Sequence, residues 1–419
     1  MLSIESKKKN NLNFLILHSI KKKSMRYNFG FILTSVSLVF IVGCSEAPKE
    51  KAVLQEVAID TVAKKAEIIE IDSTLTHMSK LIAGLDTSMN YIHPLWNKTA
   101  IRTFAKETEA KYNRMRSDRL EKLNAWHANN LEIVSAPDSS FVFYPFSGGD
   151  FIHLRWLYPN AADYLMVARE EVGSFPDINI MKDNEVMNYL KGVDIVLRDI
   201  YSKSYFITKN MITDIHSENR VDGMLPILIW AAARTNLEFI SIDFFDIDSI
   251  GNTRLAVDEK YDGVFLTLKD ISTNQRKSLT YLSVDISDKG FMAQPGVRNY
   301  LEQKVPEGCN SFVKSASYLM HYGSFGGIRN IILNKSNCLV QDDTGIPFKY
   351  FDQSIWNVNL YGEYEVPVKD FSSNLFQNDM NAAYKDSAFY KGPINFSLGY
   401  HWGSGNQNQM FSYKKNQIR

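Results

Sequence analysis

Residues 141–150 narrow the possible folds of this chain more than any other stretch. Phe141-Val142-Phe143-Tyr144-Pro145-Phe146 is an apolar run of strand length, and Ser147-Gly148-Gly149-Asp150 breaks it as a turn. Phe151–Leu157 then reads as a short helix, and Tyr164–Ala168 as a second buried strand. A strand, turn, helix and strand in that order form the outline of an α/β unit.

The rest of the chain continues this rhythm. Helices are expected at 185–200, 208–215, 225–233 and 310–321, with Asn310 or Ser311 as N-cap of the last. Strands are expected at 239–247, 263–268 and 279–286, where β-branched and aromatic residues alternate with polar ones. The 328–333 and 337–341 runs extend the pattern, and the final strands are expected at 356–361 and 394–400. Ahead of residue 137, Ile101, Phe104, Tyr112, Met115 and Leu120 recur near helical spacing among many charges. The expected fold is therefore α/β, a mixed sheet flanked by helices across residues 137–419, preceded by a helical segment over 52–136.

The turn at Ser147-Gly148-Gly149-Asp150 supports three chemical readings. Glycines at a strand's carboxyl end expose backbone N–H groups, and ligands bind there in open α/β sheets. With Glu170 or Glu171 about twenty residues on, this suggests a dinucleotide or methyl-donor site, but the G-x-G-x-x-G pattern is missing and no cofactor is expected. Ser147-x-Gly149 also matches the second half of a nucleophile elbow. A serine hydrolase would pair Ser147 with His401 or His321, oriented by Asp342 or Asp343. The plain alternative is a tight turn whose glycines allow close packing and whose Asp150 caps the next helix.

A second cluster is Ser317-Tyr318-Leu319-Met320-His321, followed by Gln341-Asp342-Asp343-Thr344-Gly345-Ile346-Pro347-Phe348. Two buried neighbouring carboxylates need a cation or hydrogen-bond donors. A ligand could supply these, and so could Arg329 or Lys349. Tyr350, Phe351, Trp356, Tyr361, Tyr400 and Trp402 would suit a glycan or small-molecule platform if they line the same site. Lys209, behind Thr208, could meet an anion at a helix start. His93, His153 and His216 read as structural. The candidate ligand contacts are Gly148, Gly149, Asp150, Asp343 and Tyr350. No Cys/His cluster has zinc-ligand spacing, so no metal is expected.

The N-terminus supplies an address. Lys7–Lys9, Lys21–Lys23 and Arg26 precede an apolar run at 29–42, which is shorter than a membrane span and has the length of a signal-peptide core. Ile41-Val42-Gly43-Cys44 resembles a bacterial lipobox, in which Cys44 is acylated and becomes the first mature residue. Met25 gives a start with normal spacing to Cys44. Residues 1–43 are expected to be the signal peptide and 44–51 a lipidated tether. Ser45, rather than an aspartate, favours the outer membrane by resemblance to bacterial sorting rules. The whole chain holds 47 basic and 47 acidic residues. Removing 1–43 leaves 40 and 46, a net charge of −6, which argues against nucleic acid as a partner. The expected membrane contact is the lipid on Cys44. Cys309 and Cys338 are equally compatible with a disulfide in an oxidising envelope and with two buried thiols.

The runs at 144–150, 317–321 and 341–348 resemble those of an uncharacterised family of exported bacterial proteins, over roughly residues 137–410. The resemblance implies export and assigns no activity to any residue. The resemblance implies Pro in many relatives where this chain has Gly149, which weakens an elbow built on that glycine. The sequence thus points to an envelope lipoprotein with a binding or structural role. The alternative is an esterase-like serine hydrolase.

Overall fold

The structure, a computed structural model, describes residues 69–85, 99–132, 141–205, 221–257, 261–365, 375–401 and 407–415. All of them belong to one compact unit spanning Ile69–Arg419. Its centre is a mixed sheet of 11 strands, β1 (Phe141–Pro145), β2 (Asp163–Ala168), β3 (Leu237–Ile247), β4 (Thr253–Leu255), β5 (Gly263–Asp270), β6 (Gln275–Ser283), β7 (Cys309–Val313), β8 (Ser336–Gln341), β9 (Trp356–Gly362), β10 (Tyr390–Gly392) and β11 (Asn408–Lys414). Their order in the sheet is β10-β9-β11-β8-β7-β1-β2-β6-β5-β3-β4.

The five central strands, β8-β7-β1-β2-β6, are all parallel. On one flank β6, β5, β3 and β4 pair antiparallel, and on the other β11 inserts antiparallel between β8 and β9. From β1 the chain moves to β2 on one side, and it later returns to place β7 on the other. The seam between β1 and β7 is therefore the point where the winding direction reverses.

Side chains on β1 alternate between two layers. Val142 and Tyr144 enter one, Phe141 and Phe143 the other. The first layer is covered by α1 (Ser73–Ile82), α2 (Thr99–Met115), α3 (Glu121–Leu131), α4 (Phe151–Leu157), α5 (Asp183–Val196), α6 (Arg198–Lys203) and α7 (Leu225–Arg234). The second is covered by α8 (Asp288–Ala293), α9 (Pro295–Lys304) and α10 (Gly326–Lys335). A further short helix, α11 (Asn378–Ala383), follows β9. The α7 sequence is apolar on every side, and all ten of its residues are buried. The N-terminal helices pack on this same unit, with Asp72 N–H on Phe239 O and the Tyr112 hydroxyl on Arg234 O.

Three expectations need correction. The expected helix at 310–321 is absent: Cys309–Val313 is the buried strand β7, and only Ser315–His321 is helical, as a 3₁₀ turn. Pairing with β1 and β8 on both edges overrides the local helical spacing. Residues 394–400 form no strand; the last strand is β11, whose buried Asn408, Gln409 and Ser412 hide it from a hydrophobicity reading. The expected helix at 185–200 ends at Val196, and α6 begins anew at Arg198. The 208–215 helix and Lys209 lie outside the described residues, as do the signal, the tether and the lipidated Cys44.

Cys309 and Cys338 are free thiols on neighbouring strands, and their side chains enter opposite layers of the sheet.

Candidate functional site

The β1/β7 seam is a topological switch point, where open α/β sheets form their ligand crevice beyond the carboxyl ends of the strands. Three strands deliver polar residues to that edge. The turn after β1 brings Ser147–Asp150, Lys314 directly follows β7, and Asp342 and Asp343 directly follow β8. The turn after β1 is sharp, with Phe146 at φ 61° and Gly148 at φ 52°. Both lie in the left-handed region, which a phenylalanine adopts only when its surroundings hold it there. The Phe146 ring is held against Phe325, 5.8 Å between centroids.

Asp150 stands at the start of α4 but does not cap it with its side chain. Its carboxylate instead organises a buried network. His153 Nδ1 lies 2.5 Å from Oδ1, and the Tyr144 hydroxyl donates to Oδ2 at 3.1 Å. The Lys314 ammonium pairs with Oδ2 and also donates to the Ser204 carbonyl. Burial opposes ionisation of Asp150, but the charges and hydrogen bonds of His153 and Lys314 outweigh it and hold its pKa below the usual carboxylate range. Burial pushes His153 down to about 4. At neutral pH its ring is uncharged, so Nδ1–H donates to Asp150. Burial lowers the Lys314 ammonium as well, and Asp150 opposes that shift.

The second group gathers after β8. Asp342 Oδ1 accepts from Thr344 N–H at 3.0 Å and from the Thr344 hydroxyl at 2.5 Å. Its Oδ2 is buried with no hydrogen-bond partner among the described residues. Burial, with the Asp343 charge second, raises the Asp342 carboxyl to about 6. Asp343 Oδ1 lies 2.7 Å from His401 Nε2 and 3.1 Å from Asn408 Nδ2, and the Asp343 N–H donates to Asn408 Oδ1. Burial would lower the His401 pKa, but the bond to Asp343 and the charges of Asp343 and Asp342 raise it. His321 is half-buried beside the Asp343 and Gly345 backbone, and burial lowers its pKa. Tyr144, Asp150, His153, Lys314, Asp342, Asp343 and His401 are each no more than 6% exposed.

The sequence-derived candidates divide clearly. Asp342, Asp343, His321 and His401 do come together. Asp150 joins Lys314, on which the Asp342 charge also acts. Among the described residues Ser147 forms no hydrogen bond with a histidine; its one hydroxyl proton has the carbonyls of Gly148 at 3.1 Å and Val167 at 3.3 Å as acceptors. Gly149 gives α7 room to approach, since a Cβ there would sit 3.0 Å from Ile227 Cγ2. Tyr350 is stacked under the Arg329 guanidinium, 4.0 Å from the ring centroid. Arg329 is thus spent on that ring and on Met320 O, and the donors for the adjacent carboxylates are Thr344, His401 and Asn408. His153, read as structural, is bonded to Asp150.

Sequence reasoning missed Lys314, Thr344 and Asn408. A lone lysine after a strand carries no local signal of its partner. Among the described residues, no group of three His, Cys, Asp or Glu is placed to hold a metal ion.

Compared with known proteins, the sequence matches no family model and no curated protein, and its structure matches no solved structure.

Proposed function

We propose that this chain is a lipid-anchored bacterial envelope protein, held at the outer membrane through Cys44, with a binding rather than a catalytic role. The address rests on the ordered basic residues, the apolar run and the lipobox-like Ile41-Val42-Gly43-Cys44. Among the described residues no helix is long and apolar enough to cross a membrane, in keeping with a lipid as the anchor.

One observation carries the preference for binding. The Ser147 hydroxyl proton is directed at backbone carbonyls, Gly148 O or Val167 O, whereas a nucleophile must share its proton with a base. The second reading, an esterase-like hydrolase using Ser147 with His401 or His321, draws on the acid–histidine pair formed by Asp343 and His401.

A fluorophosphonate probe separates the two. The binding reading expects no labelling of the folded wild type. Labelling that disappears in Ser147→Ala would establish the hydrolase instead. The anchor is tested by fractionation after metabolic labelling with palmitate. The wild type should carry label and sediment with membranes, and Cys44→Ala should do neither. An unlabelled, freely soluble wild type would sink the lipoprotein reading.

A further inference from the structure

A groove of about 420 Å³ lies where the α2–α3 junction faces the ends of β9 and β11. Its volume falls in the range of small-molecule sites. It is lined by Asp118, Lys122, Glu363, Ser397 and Gln407, together with Ile394 and Phe396. We propose that this groove binds a small zwitterion of the peptide class, with its ammonium toward Asp118 and Glu363 and its carboxylate toward Lys122. The proposal rests on the binding role argued above.

The helix that supplies one wall is built irregularly. Between α2 and α3 the chain makes a π-helical turn, Arg116–Leu120, closed by the Glu121 N–H on Arg116 O. Such turns insert one extra residue, and they recur at functional sites. Here the turn sends neighbouring residues opposite ways. Arg119 enters the core, where its guanidinium donates to the carbonyls of Ile200 at 2.9 Å and Tyr201 at 3.1 Å and feels the Asp150 charge. Asp118 and Lys122, one turn apart, both remain on the groove.

The opposite wall shows the same division. Gln407 lines the groove and donates to the Ser397 hydroxyl, while the next residue, Asn408, holds Asp343 in the buried network. Phe396 is held by aromatic contacts, packing against Trp126 at 5.7 Å, while Trp126 packs against Tyr361 at 5.4 Å. Among the described residues, Asp118, Lys122 and Glu363 form no ion pairs with one another or with other side chains. Two acids and one base beside the apolar Ile394 and Phe396 match a molecule that carries both charges on a short hydrocarbon frame. Ser397 and Gln407 supply hydrogen bonds for an amide link.

The test is calorimetric titration of the full chain in detergent with L-alanyl-L-alanine, its N-acetyl methyl ester and the neutral disaccharide cellobiose. The free dipeptide should bind, and the uncharged ester should bind at least tenfold more weakly. Lys122→Glu and the pair Asp118→Asn with Glu363→Gln should each lose at least tenfold affinity while the circular dichroism spectrum is unchanged. No heat with the dipeptide overturns the proposal, and so does equal binding of ester and dipeptide, or tighter binding of cellobiose. Fluorophosphonate labelling is scored separately. Labelled Ser147 with intact dipeptide binding would remove the non-catalytic reading alone, and absent dipeptide binding without labelling would remove the groove alone.

Discussion

Lys314 and Asp150 form an ion pair across the β1/β7 seam, with both side chains 2% exposed. The pair is the centre of a buried network, because the lysine also reaches Ser204 and the aspartate also holds His153 and Tyr144. Removing one partner of a buried pair strands the other charge, at a cost of about 3–5 kcal/mol. Lys314→Met should therefore unfold at a clearly lower denaturant midpoint. Adding Asp150→Leu should recover part of the loss, since an apolar pair can replace a buried ionic one. Equal midpoints for wild type and Lys314→Met would show that the pair contributes nothing to stability.

Asp342 gives the fold a pH dependence of opposite sign to the usual carboxylate. Its folded pKa is raised to about 6, above the ordinary 3.8, by burial and then by the Asp343 charge. A raised carboxyl pKa favours the folded state fully below the unfolded pKa, and that benefit is lost as pH rises through about 6. Ionised Asp342 thus costs up to about 3 kcal/mol at neutral pH. Asn at this position keeps an oxygen for the Thr344 N–H and hydroxyl. Asp342→Asn should be more stable than wild type at pH 7.5, with the advantage shrinking towards pH 4. Denaturation curves that stay parallel across that range would exclude the effect.

The parts of the molecule legible in the sequence are those whose pattern is local. Tyr144-Pro145-Phe146-Ser147-Gly148-Gly149-Asp150 announces a strand and a turn because apolar run, glycines and acid are consecutive. Phe312 and Val313 could belong to helix or strand on spacing alone, and their place between β1 and β8 decides it. The same limit applies to the site. Asp342 and Asp343 stand out as neighbouring acids, and His401 is a candidate base for them. Lys314 meets Asp150 only because the sheet reverses direction there, which no short window of sequence records.

Gly399 tests how tightly the carboxylates are enclosed. Its φ is +73°, and a Cβ there would fall 2.2 Å from Asp342 Oδ2. Gly399→Ala should cost at least about 2 kcal/mol, combining backbone strain with displacement of the acid. Asp342→Ala removes the clash but not the strain. A double-mutant cycle should show favourable coupling of about 1 kcal/mol. Strict additivity would mean that the turn at 399 does not press on Asp342.

The thiols of Cys309 and Cys338 should stay unpaired even if the chain matures in an oxidising envelope. Their strands are adjacent, with Cys338 opposite Asn310 and Cys309 opposite Ser336. One side chain packs in each layer, so the sheet itself separates the two sulfurs. A disulfide needs both Cβ atoms on one side, about 4 Å apart. Burial also pushes the thiols up, Cys309 to about 11 and Cys338 to about 12, which keeps them protonated and unreactive. Protein purified without reductant should resist iodoacetamide at these two positions while folded. Once unfolded in guanidinium, still without reductant, both positions should be alkylated. Alkylation that appears only after adding reductant would prove a disulfide and require β7 or β8 to turn over.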